Sequence, residues 1–243
     1  MNAVEIRSLT KSFGAIKAVD GLTLDIGEGE LFALLGVNAA GKTTTIKMLS
    51  GVLRPDGGDA LIMGHSVLTE LAAAKEAMNV SPQETAVAPN LTARENLELM
   101  AGIYGAGRAD ARRAAEDMEG ELGLSHVSDR RARTLSGGWQ RRLSIAMALI
   151  TRPKVLFLDE PTLGLDILAR RELWREIEKL KGGTAVILTT HYLEEAEALA
   201  DRIGVMTGGR LTAAGTAEEL KAAAGKDSFE DAFVEQASGG AQA

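Results

Sequence analysis

The sequence predicts an α/β fold with a mostly parallel central sheet, an antiparallel β portion at the N-terminus and a helical insertion. Three short apolar runs, typical of strands buried on both faces, indicate the parallel sheet: 31–35, 155–158 and 185–188. Apolar and polar residues alternate from Gly21 to Ile26, as in a half-buried strand of the β portion. The pattern from Leu91 to Ile150 is helical and predicts the insertion.

Composition limits the class of protein. The 243 residues are enough for one large core with a subdomain. A net charge of −7, from 27 basic and 34 acidic residues, argues against broad binding to nucleic acid. The absence of cysteine excludes disulfides and cysteine-ligated metals. No apolar run approaches the roughly 20 residues that span a bilayer, and no signal-peptide pattern is present, so we expect a cytosolic protein.

The N-terminal β portion begins with short strands predicted over Val4–Leu9 and Gly21–Ile26. The polar segment between them contains Phe13, one of only five phenylalanines. Its ring either folds back onto the core or stacks on a nucleotide base, a ligand that the next motif predicts. The spacing does not decide between these interpretations.

A phosphate-binding loop follows the first buried strand. Gly36 to Thr43 reads G-x-x-x-x-G-K-T between a strand and a helix, which is the P-loop pattern. Gly36 and Gly41 let backbone N–H groups approach phosphates, and the helix adds its positive dipole end. Lys42 would reach the outer phosphates, and the Thr43 hydroxyl would hold Mg²⁺. The loop therefore predicts a P-loop NTPase (RecA-like) core rather than an ordinary glycine turn.

The middle of the chain supplies two more strands and the helical block. Ala60–Met63 reads as a strand after a turn cluster, and a second short strand ends just before Gln83. Thr92–Glu95 predicts a helix start. The Ala-, Arg- and Glu-rich stretch from Arg108 to Leu122 predicts a helix with a solvated face.

Leu135 to Gly138 reads Leu-Ser-Gly-Gly and precedes a strongly helical run, Trp139 to Ile150. A serine and two glycines at a helix N-terminus fit a simple cap. They also fit a second anion-binding site, because the helix dipole and free N–H groups attract anions there as well.

Two adjacent acids, Asp159 and Glu160, follow the buried strand 155–158. Burying them without a cation is costly, and in a P-loop protein the expected cation is Mg²⁺, held by Asp159 together with Thr43. Glu160 then acts as the base that orients or deprotonates water. The alternative is that Asp159 caps a helix.

The strand 185–188 ends near His191, which either bonds a transferred phosphoryl group or caps the next helix at the surface. The segments 203–206 and 210–213 predict a hairpin around a glycine pair.

With these residues in view, the chain resembles the nucleotide-binding subunit of an ABC transporter over residues 4–220. Seven motifs occur in the order of that family. Phe13 matches the base-stacking aromatic, 36–43 the Walker A loop, Gln83 the Q-loop, 135–138 the signature motif, 156–160 Walker B with its catalytic glutamate, 164–166 the D-loop and His191 the switch histidine. The Leu-Ser-Gly-Gly match separates this family from other P-loop ATPases.

The resemblance implies the cofactors ATP and Mg²⁺ and a set of site residues. ATP would be bound by Phe13, Val19, Gly36, Val37, Asn38, Ala39, Ala40, Gly41, Lys42, Thr43 and Thr44. Catalysis would use Glu160, His191 and Gln83, and the metal would be held by Thr43, Gln83 and Asp159. A second chain would contribute the signature residues Ser136, Gly137 and Gly138, and Asp166 would be the site residue of the D-loop.

The resemblance also implies partners. Two such subunits, as a homodimer or as a heterodimer with a similar ATPase, would pair head to tail, and Ser136 of one would contact the γ-phosphate bound by Lys42 of the other. Closure would be passed to integral membrane permease subunits, with no nucleic acid involved. Residues 43–49, 189–196 and 227–233 resemble the ABC-2 exporter group of bacterial drug-efflux systems. We therefore expect a peripheral protein at the cytoplasmic face of the membrane, whose substrate is chosen by the permease.

One ATPase domain is expected over residues 1–236. Residues 1–88 and 152–220 would form the α/β core with its β portion, 89–151 the helical signature subdomain and 221–236 a short C-terminal helix. Residues 237–243, which are small and polar, would form a disordered tail.

Two positions depart from the family pattern. Ala39 replaces the usual glycine, and it would cost about 1 kcal/mol if the position needs a positive φ. Trp139 replaces the usual glutamine, and Gln140 does not restore the match because Arg142 stays in register. Activity is still expected, because the phosphate-contacting residues remain.

Two other functions compete with this one. A soluble ABC ATPase acting on nucleic acid or ribosomes would carry two cassettes or a long coiled-coil insertion, and neither occurs here. A small-molecule kinase or GTPase would leave the signature unexplained, and the guanine-reading sequence Asn-Lys-x-Asp is absent.

Overall fold

The computed structural model describes residues 1–239 and contains two sheets. The central sheet has six strands: β3 (Leu31–Leu35), β6 (Met78–Ser81), β7 (Val155–Asp159), β8 (Ala185–Thr190), β9 (Arg202–Thr207) and β10 (Arg210–Gly215). Their order is β10-β9-β3-β8-β7-β6, and all neighbours are parallel except the β9–β10 pair. The predicted mostly parallel sheet and its terminal hairpin are confirmed.

The N-terminal β portion is a four-stranded antiparallel sheet of order β2-β1-β4-β5. Its strands are β1 (Asn2–Phe13), β2 (Ile16–Gly27), β4 (Gly57–Ile62) and β5 (His65–Ser66). The first two are twice as long as predicted, because hydrogen bonding continues into polar segments with little apolar alternation. Phe13 therefore ends a strand and pairs with Ile16 across the hairpin tip, instead of lying in a polar turn.

The helices lie on both sides of the central sheet and at the end of the chain. Four belong to the α/β core: α1 (Lys42–Leu49), α2 (Leu71–Ala77), α6 (Ile167–Glu178) and α7 (Leu193–Leu199). Three form the helical block: α3 (Ala93–Ile103), α4 (Arg108–Glu121) and α5 (Gly137–Leu149), with short 3-10 turns at Ser125–Val127 and Ala132–Thr134. The domain boundaries at 88/89 and 151/152 stay a prediction.

The C-terminal region differs from the single helix predicted over 221–236. The structure has two helices, α8 (Ala217–Ala224) and α9 (Phe229–Gly239). Gly225, with φ of 63°, ends α8 in the left-handed conformation that glycine adopts easily. The predicted disordered tail begins at 237, but α9 continues to Gly239; residues 240–243 lie outside the described part of the chain.

Helix α3 shows how local chemistry fixes an element boundary. The Thr92 hydroxyl accepts a hydrogen bond from the Glu95 N–H at 3.1 Å, and the Glu95 carboxylate accepts one from the Thr92 N–H at 2.7 Å. This capping box satisfies two free backbone donors at once. The hydrogen bonds from Thr92 also lower the pKa of Glu95 below its usual value. The predicted helix start is confirmed.

The core consists of two apolar clusters, one on each face of the central sheet. In β3, Leu31, Ala33 and Leu35 face one cluster, and Phe32 and Leu34 face the other. The first cluster packs against the helical block and α6, and the second packs against the antiparallel sheet and α1. Burial on both faces is why the strands read as unbroken apolar runs. Within residues 1–239, none of the helices has the length and apolar composition that a bilayer crossing requires.

Candidate functional site

A cavity of about 680 Å³ lies at the edge of the central sheet where the parallel strands end. Because parallel strands share one carboxyl edge, the loops that follow β3, β6, β7 and β8 meet there. The P-loop, Gln83, Glu160 and His191 all line this cavity. The structure thus brings together residues from four separate loops. The sequence pattern shows only that each of these loops follows a predicted strand.

Lys42 lies buried at the bottom of the P-loop. Its ammonium group donates to the carbonyl oxygens of Gly36 at 2.7 Å and Val37 at 3.2 Å. It also lies 3.4 Å from the Glu160 Oε1 atom. A fixed cation therefore meets an acid within the cavity, and the cation has the position that the outer phosphates of a nucleotide need.

The P-loop glycines are required by the protein's own packing as well as by phosphate access. A Cβ on Gly36 would lie 2.3 Å from the Met206 carbonyl oxygen, and one on Gly41 would lie 2.2 Å from the Ala18 carbonyl oxygen. Ala39 has a φ of 64°, in the left-handed region. Position 39 therefore does need a positive φ, and alanine there adds about 1 kcal/mol of backbone strain to the loop.

Asp159 is buried at the end of β7 and accepts two hydroxyl hydrogen bonds. Thr43 donates to its Oδ1 atom at 3.1 Å, and Thr189 donates to the same atom at 2.6 Å. The alternative that Asp159 caps a helix is wrong, because α6 begins only at Ile167 and is capped by Asp166.

These residues fit a magnesium ion. A carboxylate, a hydroxyl and the amide of Gln83 are hard oxygen ligands of the kind that Mg²⁺ prefers. Asp159 has no basic side chain within salt-bridge distance among residues 1–239, so its buried charge lacks a protein counter-ion at contact. In the same part of the chain, no three His, Asp or Glu residues are grouped so as to hold a metal. The remaining ligands would have to be substrate or water oxygens.

Glu160 and His191 form a pair next to this position. The His191 Nδ1 atom lies 2.7 Å from the Glu160 Oε2 atom. The Glu160 N–H donates to the Thr189 hydroxyl at 3.0 Å and carbonyl at 3.2 Å, which holds the residue at a φ of 48°. His191 makes no helix cap, since α7 begins after Tyr192 without a side-chain cap. The pair therefore directs a carboxylate into the cavity and fixes its orientation.

Phe13 lies at the mouth of the cavity with 52% of its surface exposed. It belongs to neither core cluster, so the interpretation in which its ring folds back onto the core is wrong. Lys17 and Ala18 line the mouth beside it. Val19 does not, because side chains alternate along a strand and its own points into the core.

The signature residues lie away from this cavity. Ser136 and Gly137 are exposed at the start of α5, and the Ser136 side chain makes no capping hydrogen bond. The interpretation as a simple serine cap therefore does not hold. A Cβ on Gly138 would lie 3.2 Å from the Ala169 Cβ atom of α6. Asp166 caps α6 by accepting from two N–H groups, each at 2.9 Å. Signature and D-loop thus lie side by side.

Trp139 packs within its own chain. Its ring lies 4.5 Å from the Arg142 guanidinium and 4.5 Å, edge-on, from the His126 ring. Arg142 in turn contacts the Glu172 carboxylate of α6 at 3.2 Å. The tryptophan that departs from the family pattern is therefore part of the contact between α5 and α6.

Two residues at the site had no functional interpretation from the sequence. Thr189 bonds both Asp159 and the Glu160 N–H. Glu195 is fully buried on α7, where the Trp174 indole N–H donates to it at 3.0 Å. Burial raises the pKa of Glu195, and the nearby Glu160 carboxylate adds to the rise. The signal for Thr189 was its place at the end of a buried strand; no sequence signal distinguished Glu195 from an exposed helix residue.

The sequence profile of the family described as "ABC transporter" matches residues 19–163. The chain is 44% identical over 226 residues to the daunorubicin/doxorubicin resistance ATP-binding protein DrrA of Streptomyces peucetius, covering 93% of this chain and 68% of the relative.

Two solved structures are similar over most of the chain. One is an ATP-binding subunit of an ABC transporter, with a TM-score of 0.84 and 29% identity, covering 96% of this chain and 99% of the other. The second is a dimeric ATP-binding cassette in a post-hydrolysis state bound to ADP and Pi, with a TM-score of 0.78 and 26% identity, covering 88% of this chain and 98% of the other.

Proposed function

The chain belongs to the ABC transporter family as an ATP-binding, ATP-hydrolysing subunit, and we propose that it powers export through separate membrane subunits by ATP-driven head-to-tail pairing. One observation carries the proposal. The chain has a phosphate cavity at the sheet edge and, on a different surface, a free Ser-Gly-Gly helix start that its own cavity does not use. Two copies related by a two-fold axis would complete both sites equivalently.

Nucleotide binding is assigned to the P-loop and the cavity mouth. The Lys42 ammonium group would exchange its contact with Glu160 for the outer phosphates, since a cation–phosphate hydrogen bond is strong. Backbone N–H groups of residues 36–44 would hold the remaining phosphate oxygens. Phe13, free of the core, would cover the base.

Hydrolysis is assigned to Thr43 and to residues at or after the ends of β6, β7 and β8. Thr43, Asp159 and Gln83 would hold Mg²⁺, which when bound neutralises charge on the β- and γ-phosphate oxygens. Glu160 would take a proton from the attacking water or orient it, and its hydrogen bond with His191 would keep the carboxylate in position. Thr189 would support both acids from β8.

Membrane subunits are expected as partners because the chain belongs to the ABC transporter family and one similar structure is the ATP-binding subunit of such a transporter. The relative's name records resistance to daunorubicin and doxorubicin. In this chain, however, the described cavity is lined by the P-loop, so it is assigned to the nucleotide and not to a transported drug. The substrate would be selected by the membrane subunits.

The partner proposal is tested by affinity purification of the tagged full-length chain from membranes solubilised in mild detergent, with Mg²⁺ and ATP. We expect a stoichiometric integral membrane chain to co-purify, and an untagged preparation to yield none. Recovery of the chain only from the soluble fraction, or together with ribosomes or nucleic acid, would contradict it.

A further inference from the structure

Arg141 is the most deeply placed cation in the helical block, and neither the resemblance nor the mechanism above gives it a role. It lies on the second turn of α5 and is only 4% exposed. Ser136, at the start of the same helix, is exposed on the surface. A buried charge is costly unless it is paired and hydrogen-bonded, so the contacts of this guanidinium need an explanation.

The guanidinium donates to main-chain carbonyl oxygens of two catalytic loops. Nε donates to Pro161 at 2.8 Å and Nη2 to Asp159 at 2.6 Å, in the loop after β7. Nη1 donates to Pro82 and, at 3.1 Å, to Gln83, in the loop after β6. All four acceptors are backbone atoms, so Arg141 does not occupy the side chains of Gln83 and Asp159.

The charges around Arg141 favour this position. Burial lowers the pKa of Arg141 to about 10, and the carboxylates of Asp159, Glu195 and Glu160 oppose the decrease. The guanidinium therefore stays charged at neutral pH. Arg141 is therefore a buried counter-charge to these three acids, although its own hydrogen bonds all go to backbone carbonyl oxygens.

We propose that Arg141 is a positioning residue, which holds the Gln83 loop and the Asp159–Pro161 loop of its own chain in the arrangement that binds Mg²⁺ and hydrolyses ATP. The inference deepens the proposed function and rests on it. Because Arg141 and Ser136 lie on one helix, any shift of α5 when a partner's nucleotide contacts Ser136 would act on both loops. Arg141 would thus connect the chain's own nucleotide cavity with its signature surface, which contacts the nucleotide of the partner.

The test compares Arg141→Lys with a matched control, Arg94→Lys. Lysine keeps a charge, but its donors leave a single nitrogen at the end of a flexible stem, so it does not reproduce the rigid fork by which the guanidinium spans both loops. Arg94 also makes a two-pronged contact, to the buried Glu119 carboxylate at 2.8 and 3.0 Å, but its guanidinium bonds neither catalytic loop. Both variants should lose thermal stability, and only Arg141→Lys should lose function.

Two readouts separate positioning from folding. First, kcat of Arg141→Lys should fall roughly 10- to 100-fold with KM changed less than threefold, the scale for catalytic groups displaced by about 1 Å. Second, ATP affinity measured in EDTA should stay within twofold of wild type, whereas the gain in affinity on adding Mg²⁺ should shrink. Arg94→Lys should keep both values.

The inference is overturned if Arg141→Lys keeps wild-type kcat and the full Mg²⁺-dependent gain. It is also overturned if affinity in EDTA falls as much as affinity in Mg²⁺, since that indicates general damage to the nucleotide site. If Arg141→Lys does not fold, Arg141→Gln replaces it, because a neutral amide brings no buried charge. If neither Arg141→Lys nor Arg94→Lys hydrolyses ATP, and wild type does not either, the proposed function fails rather than this inference.

Discussion

Substitution of Phe13 by alanine tests whether the hairpin tip binds the base. The ring is half exposed at the cavity mouth and contributes to neither apolar cluster, so its removal leaves the core intact. Stacking of a base on an aromatic ring is worth about 1–3 kcal/mol by alanine substitution. Because the Lys11 ammonium group already lies over the ring, 5.8 Å from its centroid, we take the lower value, about 1 kcal/mol, which weakens binding about fivefold.

The assay is titration of the purified chain with a fluorescent ATP analogue, in parallel with thermal unfolding. Phe13→Tyr and Phe13→Trp should retain wild-type affinity within about twofold, because they keep a ring that can stack. Tyr104→Ala is a matched control, since Tyr104 is 50% exposed but does not line the cavity. Unchanged affinity of Phe13→Ala with a lowered melting temperature would refute the stacking role.

Two further substitutions test charges at the site. Lys42→Ala should abolish tight ATP binding, because the P-loop loses the cation that faces the outer phosphates; the same titration measures this, and equal affinity in mutant and wild type would refute the P-loop assignment. Glu195→Gln should raise the melting temperature, and the gain over wild type should grow as pH rises above about 4.5, because a raised carboxyl pKa means that ionisation destabilises the folded state. An equal gain at pH 4 and pH 8 would contradict the second prediction.

The sheet and most of the site could be predicted because each depends on a local pattern. Strands buried on both faces read as apolar runs, and the residues directly after them meet at one edge. The sequence alone therefore associates Asp159, Glu160 and His191 with the P-loop. Phe13 could be named as a candidate, but only its exposure at the hairpin tip decided between stacking and packing.

The parts that were missed depend on tertiary contacts. Strands β1 and β2 extend through polar residues. Backbone pairing across the hairpin stabilises these extensions, and the alternation of apolar and polar side chains does not mark them. The family pattern predicts that Val19 contacts the nucleotide, whereas in the structure its side chain points into the core. Arg141 and Glu195 are charged residues on helices, which are usually solvated, and only the packing shows that both are buried.

The central claim is that ATP joins two copies of this chain head to tail and that Glu160 then hydrolyses it. Glu160→Gln removes the proposed base while keeping its size, so ATP should bind as well or better while hydrolysis falls by at least about 10²–10⁴-fold. Ser136→Arg, combined with it, places a bulky cation where the partner's γ-phosphate would lie.

The decisive measurement is size-exclusion chromatography of Glu160→Gln with saturating ATP and Mg²⁺. The variant should elute as a dimer, wild type should elute mostly as a monomer, and addition of Ser136→Arg should return the variant to a monomer. Hydrolysis by Glu160→Gln at the wild-type rate would contradict the role of Glu160. A variant that binds ATP without hydrolysing it and still elutes as a monomer would contradict the head-to-tail dimer.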